Sequence, residues 1–110
     1  MATLFKNKLE PEIGTTPITV LSTPLNARAT IIGLSLTNLT ESVVLATILV
    51  EDTLTNTTAH YIKDVILPPN QSLRVINGGE KLILGPDTAI SIMSNTEDSL
   101  DLVMSYVEIV

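Results

Sequence analysis

Apolar and polar residues alternate along most of this chain with a period of two, the period of a strand whose side chains point to opposite faces. After Gly14, short alternating runs are separated by turn residues. "TPITVLS" is the first run and "ARATIIGLSLTN" the second, with Thr30, Ile32, Leu34 and Leu36 predicted on one face and Ile31, Gly33 and Ser35 on the other. "VVLATILVED" follows and is apolar on both faces. "AHYIKDVIL" alternates Ile62, Asp64 and Ile66 against Tyr61, Lys63, Val65 and Leu67, and "PPN" ends it because proline cannot donate to a ladder. "QSLRVI", "EKLIL", "AISIM" and "LDLVMSYVEIV" complete the set. No amphipathic helix interrupts the series. About eight strands at a spacing of roughly 8–12 residues predict an all-β fold. The expected form is a single β-sandwich of about eight antiparallel strands, jelly-roll or immunoglobulin-like, covering residues 15–110. A small closed barrel is the other all-β option.

Residues 1–14, "MATLFKNKLEPEIG", differ from the rest. Lys6, Lys8, Glu10 and Glu12 interleave with Leu4, Phe5, Leu9 and Ile13, and Pro11 limits any helix. The segment is expected to be an N-terminal extended arm, either ordered against a neighbour or frayed. Two strands carry more apolar surface than a half-exposed strand needs. In one, Val43, Leu45 and Leu49 oppose Val44, Ile48 and Val50. In the last, Leu100, Leu102, Met104 and Tyr106 oppose Val103, Val107 and Ile109. Apolar residues on both faces imply a second layer, supplied by the arm or by another subunit, so the chain is expected to form a homo-oligomer.

Composition narrows the chemistry. The 110 residues are 45 % hydrophobic but only 3 % aromatic, so the core must be aliphatic. Twelve acidic against six basic residues give a net charge of −6, the wrong sign for phosphate-dominated nucleic-acid binding or a polybasic membrane surface. There is no cysteine, which removes disulfides, thiolate catalysis and Cys-based metal sites. The N-terminus lacks the apolar centre of a signal peptide, so synthesis in a cytoplasm is expected.

Each candidate for chemistry meets a plainer explanation. "NGGEK" is not a phosphate-binding loop, because its glycines are adjacent and a strand, not a helix, follows. Asn-Gly between "SLRVI" and "KLIL" predicts a hairpin turn. "GPDT" is a second turn. "NTEDSLD" gathers Glu97, Asp98 and Asp101 without EF-hand spacing and reads as a solvated loop. Glu51 and Asp52 are adjacent in a strand and so face opposite ways. His60 is the lone histidine, with no nucleophile elbow to serve. No catalytic, cofactor or metal residue is assigned, and no enzyme activity is expected. The scarcity of aromatics also argues against stacking of sugar rings.

The order of the pieces resembles that of small β-sandwich virion proteins of tailed bacteriophages, especially marine and cyanobacterial ones. The likeness runs from about Thr15 to Val110 through "TNLTES", "ILPPNQSL", "GGEKLILGPDTAI" and the closing "SYVEIV", with "GPD" where a "GD" is usual. The resemblance implies a non-enzymatic structural role, most directly a capsid decoration (cement) protein made in the host cytoplasm and carried on the virion. It implies partners such as the major capsid protein and further copies of the chain, with a trimer favoured. A neck, tail or fibre-base accessory is the alternative within that family. A receptor- or glycan-binding adhesin using the loops "TNLTES", "TLTNTT" and "SNTEDS" at one end of the sandwich is the alternative outside it. The residues expected to make contacts are Leu4, Phe5, Leu9 and Ile13 in the arm, with Tyr106, Val107 and Ile109 near the C-terminus.

Overall fold

The computed structural model describes residues 2–77 and 79–110. Its regular elements are all strands: β1 (Thr3–Ile13), β2 (Ile18–Ser22), β3 (Arg28–Asn38), β4 (Val44–Asp52), β5 (Thr57–Leu67), β6 (Ser72–Ile76), β7 (Leu82–Leu84), β8 (Thr88–Ser94) and β9 (Leu100–Ile109). One sheet runs β1-β9-β3-β6, with β7 also on β3, and the other runs β2-β8-β4-β5. Every pairing is antiparallel.

The pairing is nested: β4 lies with β5, β3 with β6 and β7, β2 with β8, and β1 with β9. A long antiparallel ribbon wound around its own core has this connectivity, which is that of a jelly roll and not of an immunoglobulin domain. The core between the sheets is aliphatic, with Ile13, Ile31, Leu36, Val44, Ile48, Leu67, Ile90 and Leu102 all essentially inaccessible and Tyr106 the one aromatic side chain among the buried hydrophobics.

Local irregularities decide which residues reach that core. β3 carries a bulge between Ile31 and Gly33. Before it Ala29 and Ile31 point inward, and after it Leu34 and Leu36 do. The uniform alternation expected for this strand is therefore corrected: one extra residue flips the parity. β5 behaves alike. Its register with β4 shifts around Ile48, Asp64 takes a positive φ of 49°, and its N–H donates to Thr47 Oγ1 at 3.1 Å. Ile62, Val65 and Leu67 turn inward as a result, on both sides of the irregularity.

The hairpin expected at "NGGEK" does not form. β6 and β7 do not pair with each other; both run antiparallel to β3, which they meet at Leu34↔Ile76 and Ile31↔Leu82. The stretch between them is an excursion within one interrupted strand. Gly78, in the middle of that motif, lies outside the described residues; beside it, Glu80 N–H donates to Asn77 O at 3.1 Å, and Gly79 N–H to Asn77 Oδ1 at 3.1 Å. An 11-residue β3 offers a partner to both flanks, and that non-local pairing overrides the local turn signal.

Candidate assembly interface

Residues 3–13, read from sequence as an arm, form edge strand β1 here and pair with β9 of the same chain from Thr3↔Ile109 to Ile13↔Leu100. Ala2 and Val110 exchange both backbone bonds, at 2.9 and 3.0 Å. Because bonded pairs recur every second residue, Leu4, Lys6, Lys8 and Glu10 bond to β9. Thr3, Phe5, Asn7, Leu9 and Pro11 turn their backbone groups to the open edge, where Pro11 has no N–H to leave unpaired.

The side chains of β1 are inverted relative to an ordinary half-buried strand. Register places Lys6 beside Tyr106, Lys8 beside Met104 and Glu10 beside Leu102, on the side of β9 that faces the core. Lys6 Nζ meets Glu108 Oε1 at 2.7 Å, and that carboxylate, through its hydrogen bond and its charge, raises the Lys6 pKa above the usual lysine value. Charges on the inner side of an edge strand discourage another strand from joining it. Phe5 and Leu9, by contrast, stand outward beside Val107 and Val103.

The outer face of this sheet consequently holds cross-strand rows. Phe5–Val107–Thr30–Ile83 is one, and Leu9–Val103–Ser35–Arg74 is another. Between them lie Asn7, Ser105 and Gly33, with Ile32 set outward by the β3 bulge beside Phe5 and Ser105. Phe5 is 80 % exposed, Ile83 69 %, Leu9 61 % and Val103 49 %. Charges stand at the margins: Arg28 at the Ile109 end, Asp101 at the other end, and Arg74 on the β6 side.

Of the residues expected to make contacts, the structure brings Phe5, Leu9, Val107 and Ile109 onto this one face. Leu4 lies on the opposite side of β1, beside Glu108. Ile13 and Tyr106 belong to the core of this chain. For Tyr106 the reason is parity, since it shares a face with Leu100, Leu102 and Met104. Ile13 lies beyond a bulge in β1 that turns it inward. Val103 and Ile83 were not singled out. The period-two alternation of "DLVMSYV" already put Val103 on the side of Val107, whereas Ile83 joins the face only through its pairing with β3.

The remaining candidates are scattered. Glu97 holds the β1–β2 connection: its Oε1 accepts from Thr15 N–H at 2.9 Å and from the Thr15 hydroxyl, and these bonds lower its pKa. Asp101 Oδ1 accepts from Glu12 N–H at 3.0 Å, where Glu12 has a φ of 52°. Glu97 and Asp101 are thus tied to β1 and its exit. Among the described residues no group of three His, Asp or Glu side chains gathers to hold a metal ion. His60 is exposed on β5 across from Leu49.

The three loops assigned to an adhesin site do not share one end. "TNLTES" and "SNTEDS" meet through Leu39 N–H to Ser99 O at 2.8 Å. "TLTNTT" lies at the opposite end with the β7–β8 turn, through Thr53 N–H to Asp87 O at 3.0 Å. The long β4 and β5 strands separate them, and this corrects the expected clustering.

No protein-family model and no curated protein sequence matches the chain. Solved structures do match in fold. A chain of the T13 particle of infectious bursal disease virus superimposes with a TM-score of 0.56 at 7 % identity, covering 96 % of this chain and 30 % of that one. This chain therefore spans under a third of the viral protein. A subunit of Bacillus endospore appendages gives 0.50 at 7 % identity, covering 96 % of this chain and 86 % of that one. A pentameric capsid protein from metagenomic phage sequences has 21 % identity over 96 % of this chain and 63 % of its own, but a TM-score of only 0.42, too low to bear on the fold. The class defined is a two-sheet antiparallel β-sandwich with jelly-roll connectivity.

Proposed function

We propose that this chain is a non-enzymatic virion structural protein, most directly a capsid decoration protein that works by self-association and by binding a particle surface such as the major capsid protein. The observation that carries the reading is the outer face of the β1-β9-β3-β6 sheet, apolar at its centre and built partly from a strand that turns its hydrophobic side away from its own core. Repeated copies on a particle suit such a face, because many weak contacts add up once they are held together. The fold shared with a chain of a viral particle supports the same reading. The appendage subunits form disulfide-linked pili, a linkage closed to these 110 residues, which contain no cysteine.

In this reading the protein is made in the host cytoplasm, resides on the virion and assembles as a homo-oligomer, a trimer in the first instance. A neck, tail or fibre-base position is the alternative within the same role, and copy number separates the two. The test is quantitative mass spectrometry of gradient-purified particles against the crude lysate. Decoration expects copies in proportion to the major capsid protein, whereas a neck or tail accessory expects a small fixed number per particle. A chain abundant in the lysate and missing from particles overturns the virion reading. For the adhesin reading only two of the three loops share an end, and no observation favours it.

A further inference from the structure

We propose that two copies pack face to face through the outer side of the β1-β9-β3-β6 sheet. The two-fold axis lies in the interface, runs across the strands and passes over the Asn7–Ser105–Gly33 row. The proposal rests on the self-association part of the reading above and not on its virion part.

The pattern of the face argues for a second copy as its occupant. Along β1, β9 and β3 the rows match about that middle row, Phe5 with Leu9, Val107 with Val103 and Thr30 with Ser35, while at the outer margin Ile83 of β7 and Arg74 of β6 break the match. A two-fold axis across the strands lays each row on its mirror row, so Phe5 meets the partner's Leu9 and Val107 meets the partner's Val103. The polar middle meets itself. Such an isologous contact requires one surface to complement itself, and this face does so in charge as well as in apolarity. Asp101 marks one end of the face and Arg28 the other. The same operation brings Asp101 of each copy to the Arg28 end of its partner, twice per dimer. Two chains that each carry a net charge of −6 repel over most of their surfaces. At the margins of this face two arginines, Arg28 and Arg74, stand against the acids Asp101 and Glu12, so the net acidity of the chain is locally offset.

The inverted polarity of β1 fits the same occupant. Its inner charges discourage edge-to-edge joining of sheets and leave face-to-face packing, with sheets about 10 Å apart and strands within about 30° of each other. Four strands about 4.8 Å apart over nine residues of about 3.3 Å give a face of roughly 500–600 Å² per copy. Twice that lies at the lower end of specific interfaces. An interface of that size suits a weak contact, with a dissociation constant expected on the order of micromolar, and effective where copies are held together. A sheet face closed on its own copy uses up that face, so three-fold association must run through other surfaces, and the contact then pairs trimers.

The experiment is sedimentation equilibrium of the full chain from about 1 to about 500 μM. Phe5→Lys, Arg28→Glu, Asp101→Asn and the Arg28→Glu/Asp101→Asn double variant are compared, each checked for an unchanged unfolding curve. Asn at 101 keeps an acceptor for Glu12 N–H. The wild type is expected to form dimers, or hexamers as paired trimers. Phe5→Lys should raise the dissociation constant by more than about tenfold, halving the mass. Arg28→Glu should weaken association about three- to tenfold at low salt. Asp101→Asn alone should also weaken it, but in the Arg28→Glu background it should strengthen it, because it then removes a repulsion instead of an attraction. A wild type that stays monomeric throughout, or an assembly whose mass ignores Phe5→Lys, overturns the proposal. So does an Asp101→Asn effect of the same sign in both backgrounds. Failure here leaves the particle measurement untouched, and absence from particles leaves the dimer untouched.

Discussion

Asn38 closes one end of the molecule. Its side chain is buried at the end of β3, donates to Ser42 O at 2.8 Å, Leu67 O at 3.1 Å and Pro68 O at 3.2 Å, and accepts from Thr40 N–H and Oγ1, both at 2.8 Å. One amide thus ties the β3–β4 loop to the end of β5. Asn38→Ala leaves several of these groups unpaired in a dry site and is expected to cost about 2–4 kcal/mol, read as a lower urea midpoint at unchanged slope. The chain bears few shifted titratable groups, and they set its pH window. Tyr61 donates to Glu80 Oε2 at 2.6 Å, linking the two sheets along one edge, and that bond together with partial burial pushes its pKa up to about 12. A raised pKa means that the contribution is complete below the ordinary value of 10.0 and lost as pH climbs towards 12. Lys6, held up by Glu108, acts with the same sign above its ordinary value. Glu97, held down by Thr15, has the opposite sense: its contribution is complete above the ordinary value of 4.5 and fades as pH falls below that. These three groups predict stability that falls as pH drops below about 4.5 and as it climbs above about 10.0. Tyr61→Phe should flatten the alkaline limb and Glu97→Gln the acid limb, measured as urea midpoints across pH.

At the scale of elements, β1 is the informative strand. It is covalently an N-terminal tail and structurally an integral edge of the sandwich. Removing residues 1–14 strips β9 of one of its two partners and takes Ile13 from the core, so the truncated chain is expected to lose cooperative unfolding, seen by thermal circular dichroism. For that reason truncation is a poor probe of assembly, and substitutions at the exposed Phe5 serve better. Ile13→Ala alone should cost about 2–5 kcal/mol, the range for truncating a buried aliphatic side chain. Most strands were legible in the sequence: the runs "TPITVLS", "ARATIIGLSLTN", "VVLATILVED", "AISIM" and "LDLVMSYVEIV" lie within a residue or two of β2, β3, β4, β8 and β9. What escaped were the faces of β3 and β5, because a bulge costs the sequence nothing visible. Ile31, Ile32, Gly33 and Leu34 read as a plain alternation until β9 fixes where the extra residue sits.

For the whole molecule, the nested pairing joins the two ends of the chain, with β1 on β9. Such long-range pairings must await loop closure, so refolding is expected on the millisecond-to-second scale of all-β sandwiches and not faster, measurable by stopped-flow fluorescence of the two tyrosines. The sequence by itself determined that the fold would be all-β, aliphatic in core and free of cysteine chemistry, because periodicity, composition and turn residues are local properties written in the chain. It also singled out Phe5, Leu9 and Val107, which the structure sets together on one outer face, since hydrophobic excess is likewise local. Only the tertiary structure decided that the connectivity is a jelly roll, that "NGGEK" interrupts a strand instead of reversing it, and that Tyr106 and Ile13 face inward while Ile83 faces outward beside Thr30. Those outcomes depend on which strand pairs with which and in what register, and hydrogen bonds between residues a hundred positions apart leave no mark on either residue alone.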